Sequence, residues 1–229
     1  MSPIVFATSQ LLTPAVWSPQ VEALSPGRDI ILADHTRDDT IAGLADRLLA
    51  AAPPRFHLVA HGMGGFVAFE VMRRAPERVE RLALLATLAS ADGPAQTQRR
   101  AGYIRLVEDG RFEAVAEERI PMLIAPARRG ETALTQAVRQ MARDTGPEIF
   151  LRQQRAIMGR PDSRPGLPDI TAPTLIVWGE ADGITAAAHQ SEMLLGIAGS
   201  RLETLPACGH LSTLEQPSQV NALLAAFLL

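Results

Sequence analysis

The chain has 229 residues, 47% of them apolar and 21% charged, with a formal net charge of −3. A chain this long buries roughly 70% of its unfolded surface, enough for a single α/β unit with an insertion. The composition excludes disorder, collagen-like repeats and a strongly basic nucleic-acid binder. The single cysteine, Cys208, excludes an internal disulfide framework and a multi-cysteine metal cluster. All 22 basic residues are arginine, so Schiff-base chemistry, pyridoxal phosphate attachment and a phosphate-loop lysine are excluded as well.

Taken in order, residues 4–8 and 29–33 read as strands. Residues 40–51 place apolar side chains at helical spacing behind Thr40, a good N-cap. A strand follows at 56–60, then a helix at 65–74 that Pro76 stops, then a strand at 82–86. Beyond a long interruption come a strand at 174–178, a helix at 186–197, a strand at 201–205 and a helix at 217–229 opened by Pro217. Several strands are continuous apolar runs, as expected when both faces are covered. Alternating strands and helices predict an α/β fold with a mostly parallel sheet of about six strands flanked by helices.

The interruption, residues 92–168, shows no strand and reads as helical. It carries 13 Arg against 10 Asp and Glu, whereas the remainder carries 9 Arg against 15 acids. Two readings fit: a solvated helical surface, or a lid that favours anionic or carbonyl-bearing substrates. The expected division is a core of 1–91 and 169–229 with a helical cap insertion at 92–168. The Pro- and Arg-rich stretch 160–168 returns the chain to the sheet. The first basic residue is Arg28, so no charged leader precedes an apolar run, and no run approaches the roughly 20 residues that cross a bilayer. The expected location is cytoplasmic, with neither nucleic acid nor membrane as a partner; the oligomeric state is left open.

The segment Phe56-His57-Leu58-Val59-Ala60-His61-Gly62-Met63-Gly64-Gly65-Phe66 runs from a buried strand through a tight turn of small residues straight into a helix. It resembles the nucleophile elbow, G-x-S-x-G, of the α/β-hydrolase superfamily of small serine esterases and lactonases. The resemblance extends through Val16-Trp17-Ser18-Pro19-Gln20, Ala75-Pro76-Glu77-Arg78-Val79, Trp178-Gly179-Glu180-Ala181-Asp182 and Cys208-Gly209-His210. It implies that Asp182 orients His210, the acid and base, and that both face position 62. The nucleophile position itself holds Gly62, and a residue without a side chain forms no acyl-enzyme. Glycine adopts the strained elbow without a Cβ clash, so the fold survives the loss. The resemblance also implies oxyanion donors at Met63 and at Gln10, the latter following Thr8-Ser9 where relatives carry His-Gly or Pro-Gly. Ser9 there either narrows and re-aims the loop or is ordinary loop variation. The pocket is expected between elbow and cap, lined by Leu11, Trp17, Met63 and parts of the insertion.

Other candidates are weaker. Gly62-Met63-Gly64 begins a dinucleotide-type G-x-G, but Val67 takes the third glycine position and no acid follows the next strand. His35, His57, His61 and His189 make no metal-ligand spacing, so no metal or other cofactor is expected. Cys208 reads as a small packing residue beside His210. Three functions stay open. The first is a hydrolase of small carboxylic esters or lactones whose nucleophile has been removed, so that Gly62→Ser rebuilds it. The second is an enzyme that uses His210 and Asp182 as a base on water, or as a lyase or decarboxylase, and the third is a non-catalytic receptor. In each, the partner is a small ester, lactone or other carbonyl compound.

Overall fold

The computed structural model describes residues Met1–Leu228. In chain order the elements are β1 (Ile4–Ala7), α1 (Ser18–Leu24), β2 (Ile30–Leu32), α2 (Ile41–Ala51), β3 (Phe56–His61), α3 (Met63–Arg74) and β4 (Val79–Leu85). The helices α4 (Pro94–Glu108), α5 (Phe112–Leu123) and α6 (Thr132–Met158) come next. The chain closes with β5 (Thr174–Gly179), α7 (Ala187–Gly196), β6 (Arg201–Leu205), α8 (Ser212–Glu215) and α9 (Pro217–Leu228). The strands form one sheet in the order β2-β1-β3-β4-β5-β6, with every pairing parallel. This is the α/β-hydrolase fold.

Both faces of the sheet are covered. On one side, α2 and α3 pack Leu44, Leu48, Val67 and Val71 against Leu58, Leu82 and Ile176. On the other, Trp17, Leu211, Val220 and Leu224 meet Phe6, Val59, Leu85 and Val177. Each large apolar side chain sealed in this way contributes about 1.5–3 kcal/mol. Thr40 caps α2 as its sequence suggests, accepting the Gly43 amide on its hydroxyl at 3.1 Å. Helix α3 is buried from Met63 through Met72, so it shows no polar stripe.

The six strands lie where the apolar runs place them, with ends that differ by up to three residues. β4 starts at Val79 rather than 82, because Val79 and Arg81 also pair with β3, with Glu80 left unpaired at a register shift between Phe56 and His57. α3 starts at Met63 rather than 65, since the turn consumes Gly62 alone. A short helix not anticipated from sequence, α1, follows a 3₁₀ turn at Pro14–Trp17. The expected end of the last helix, Leu229, lies outside the described residues.

Helices α4, α5 and α6 lie between β4 and β5 and share a cluster of their own that includes Tyr103, Val107, Phe112, Val115 and Phe150. α6 bends at Gly146, whose φ of 69° only glycine adopts readily, and Pro147 opens its second half. Among the described residues, no helix is long and apolar enough to cross a membrane.

Candidate active site

Strand β3 is wholly buried and delivers the chain to Gly62 at φ 53° and ψ −114°. Three hydrogen bonds fix the turn: the Gly62 amide to the Leu85 carbonyl at 3.0 Å, the Gly65 amide to the Gly62 carbonyl at 3.0 Å, and the Thr87 hydroxyl to that same carbonyl at 2.7 Å. Gly64 is required by close approach, because a Cβ there would strike the Ala7 backbone as α3 crosses β1. The sharp turn leaves the Met63 amide at the start of α3, where it is free of helical bonding.

Asp182 follows β5 and His210 follows β6, both at the carboxyl ends of the parallel strands, where this architecture gathers its functional groups. His210 Nδ1 lies 2.9 and 3.0 Å from the two Asp182 carboxylate oxygens. The Ile184 and Thr185 amides and the Thr185 hydroxyl also donate to that carboxylate. Burial pushes the Asp182 carboxyl up, but the His210 charge and these donors outweigh it and hold it below its usual range. With Nδ1 committed to a carboxylate, Nε2 is the ring nitrogen left for proton transfer. It lies 3.3 Å from the point where a Cβ on residue 62 would sit.

The His210 loop is braced from two sides. Burial and the neighbouring His210 drive the His61 pKa down to about 3, so His61 is neutral and its Nε2–H donates to the His210 carbonyl at 2.8 Å. Glu215 accepts the Ala125 and Gly209 amides at 3.0 and 3.1 Å, tying this loop to the helical insertion.

The loop after β1 is held equally firmly. The Trp17 indole donates to the Thr8 hydroxyl at 3.1 Å, and His35 Nδ1 donates to the Thr8 carbonyl at 2.9 Å. Leu11 sits at φ 64°, an uncommon backbone for leucine, and its amide donates to Gln153 of α6 at 3.1 Å. Ser9 projects towards Gly62, and the Met63 amide donates to its hydroxyl at 3.4 Å. Gln10 is buried, with its side-chain Nε2 unpartnered among the described residues.

These groups surround a cavity of about 100 Å³ lined by Ser9, Gln10, Gly62, Met63 and His210 from the sheet side, and by Arg99, Arg100, Arg119 and Arg160 from the insertion. Asp92 pairs with both Arg100 and Arg160, at 2.6 and 2.8 Å. Arg119 is buried, stacks on Tyr103 and has no carboxylate partner among the described residues. Burial and the nearby Arg100 lower its pKa to about 10, so it stays charged near neutrality. A roomier hollow of about 810 Å³ lies against α2 and α3, but it contains no histidine, and its Glu70 is ion-paired to Arg73 and Arg74.

Gly62, Asp182, His210, Met63 and Gln10 thus come together from four separate stretches of sequence. Leu11 and Trp17 do not line the cavity. Trp17 is sealed in the core, 4.7 Å from the Phe6 ring, and Leu11 turns into the cluster beneath the insertion. A large apolar residue beside a strand end gains more by core burial than by facing a polar cavity. Cys208 is fully buried, and its thiol is pushed up to about 12 by burial and by Glu215, so it carries no thiolate at neutral pH. Sequence reasoning missed Gln153, Thr185 and Arg119; only the arginine richness of the insertion hinted at the last. Among the described residues, no three His, Cys, Asp or Glu side chains group as metal ligands.

A parallel sheet carrying a strained strand-to-helix turn and a carboxylate-backed histidine at its strand ends defines an α/β hydrolase. The chain belongs to the alpha/beta hydrolase family, whose model matches residues 6–223. It is 28% identical to a putative carbamate hydrolase, RutD, of Yersinia enterocolitica, over 93% of this chain and 82% of that protein. It is 27% identical to 2-hydroxy-6-oxo-6-phenylhexa-2,4-dienoate hydrolase of Comamonas testosteroni, over 89% of this chain and 74% of that one. A thermophilic esterase from Thermogutta terrifontis, solved with malate bound, superposes with a TM-score of 0.90 at 26% identity, covering 100% of this chain and 89% of the other.

Proposed function

We propose that the protein hydrolyses a small ester or lactone bearing a carboxylate, with His210 as general base and acid and Asp182 holding its ring. The observation that carries this reading is the His210–Asp182 pair with Nε2 facing the space at Gly62. A base in that place removes a proton from the attacking oxygen and returns it to the departing alkoxide. The Met63 amide, once it exchanges the Ser9 hydroxyl for the substrate, and Gln10 supply donors where the carbonyl oxygen gathers negative charge, and the Gln10 Nε2–H, unpartnered among the described residues, is a donor without an acceptor until such an oxygen arrives. Residues 92–168 form the cap over the site. The cavity is small, and Arg119 and Arg99, which pair with no carboxylate among the described residues, favour an anionic substituent. The malate bound to the Thermogutta esterase and the dienoate acted on by the Comamonas hydrolase are consistent with that preference.

The test is turnover of short esters and lactones, in matched pairs with and without a carboxylate, by the parent protein and His210→Ala. Loss of about 10²–10⁴-fold in the variant is expected. Hydrolysis that proceeds unchanged without the imidazole, or no hydrolysis by the parent protein, overturns the reading.

A further inference from the structure

Glycine at position 62 leaves a space, and the structure fills it. A Cβ built on Gly62 would fall on the Ser9 hydroxyl, well inside van der Waals contact, and 2.9 Å from Ser9 Cβ. That same point lies 3.3 Å from His210 Nε2, so Ser9 and the imidazole flank one spot. Ser9 is almost fully buried, lines the cavity, and takes the hydrogen bond of the Met63 amide, the group that opens α3. Its loop is clamped on both flanks, by Trp17 and His35 on Thr8 and by Gln153 on Leu11. Among the described residues no hydrogen bond joins Ser9 to His210, but the hydroxyl and the carboxylate-backed imidazole face one spot, and nucleophilic catalysis needs only that this gap close.

We infer that Ser9, presented by the loop after β1, is the nucleophile of this site, its hydroxyl standing in the volume that a side chain on residue 62 would occupy. The inference rests on the hydrolytic reading above and adds a covalent intermediate to it. His210 Nε2 takes the Ser9 proton as Oγ bonds to the substrate carbonyl carbon, and the carbonyl electron pair moves onto the oxygen facing Met63 and Gln10. Collapse breaks the ester C–O bond; the alkoxide leaves with the proton from His210, and the acyl group stays on Ser9. Water then gives a proton to His210 and attacks the acyl carbon. The carboxylic acid departs, and Oγ recovers its proton from the imidazolium. One ester and one water become one acid and one alcohol.

The experiment treats the full chain with diethyl p-nitrophenyl phosphate, followed by intact mass and peptide mapping, alongside ester turnover. One diethylphosphoryl group on the peptide containing Ser9 is expected, absent from Ser9→Ala and His210→Ala, with turnover in Ser9→Ala down about 10²–10⁴-fold. Thermal unfolding checks that Ser9→Ala is folded. Ser9→Cys provides a second measure, because a thiol in that place forms a thioester with p-nitrophenyl acetate, whereas the buried Cys208 does not. Ester turnover that survives in Ser9→Ala, with no adduct on the parent protein, overturns the inference and leaves direct attack by water under His210. Labelling of Ser9 with no ester or lactone hydrolysed supports the inference and overturns the substrate class instead.

Discussion

The two walls of the cavity are built on opposite principles. On the sheet side, polar groups interlock: Asp182 serves His210, His61 holds the His210 carbonyl, and Trp17 and His35 pin Thr8. Such a network fixes positions to a fraction of an ångström, which proton transfer requires. The insertion wall instead leaves charge unspent. Four arginines face one aspartate, and Arg119 is buried with no carboxylate partner among the described residues. A buried cation without a counter-ion is costly, and a ligand that supplies the counter-ion recovers that cost. The contrast teaches that one wall is organised for geometry and the other for recognition.

The largest expected effect challenges the rigidity of the sheet side through pH. The folded His61 pKa lies at about 3 against an ordinary 6.5, so on acidification the unfolded chain takes up the proton first. The stability His61 contributes is complete above 6.5 and is lost as the pH falls towards 3, at about 1.4 kcal/mol per pH unit. His35, also lowered by burial, acts in the same direction, and Asp182 adds its loss only below 3.8. His61→Gln keeps a donor for the His210 carbonyl but does not titrate. Urea unfolding across this window is expected to show a slope flatter by about 1.4 kcal/mol per pH unit in the variant. Parallel slopes refute the account of His61 as a buried neutral brace.

The next effect concerns Gly62 and Ser9. Rebuilding the elbow by Gly62→Ser alone places a Cβ onto the Ser9 hydroxyl, an overpacking that costs about 1–3 kcal/mol. Combining it with Ser9→Gly frees the space, so the two substitutions are expected to be non-additive by a similar amount. Equilibrium unfolding of the two single variants and the double one reads this directly. Simple additivity means that the hydroxyl does not occupy the space at 62.

Much of the sheet side was legible in the sequence, because its positions are dictated locally. Continuous apolar runs fixed the six strands, and the order Gly62, Asp182, His210 needed only the strand ends to bring them together. The insertion was legible in its helical character and charge, but not in its contacts. Whether an arginine pairs, stacks or stands alone depends on where helices far apart in sequence meet: Arg160 finds Asp92 across 68 positions, and Gln153 reaches Leu11 across 142. Trp17 lies away from the cavity for a related reason. Its position in the sequence places it near the cavity, but only the packing of Phe6 and α9 shows that it turns inward.

The smallest expected effect sharpens the recognition side. Arg119→Met keeps an apolar stem of similar reach and removes the charge. A hydrogen bond from a charged group contributes about 1.5–3 kcal/mol, and the neighbouring Arg99 covers part of that. We therefore expect kcat/KM for a carboxylate-bearing ester to fall about tenfold, with the uncharged member of the matched pair within about twofold of the parent value. Stability should hold or rise, because the substitution deletes a desolvated cation with no partner carboxylate. An equal loss for both esters places Arg119 among the groups that shape the cavity. A selective loss makes the unpaired arginine the feature that separates this wall from the one opposite, where each charge already has its answer within the fold.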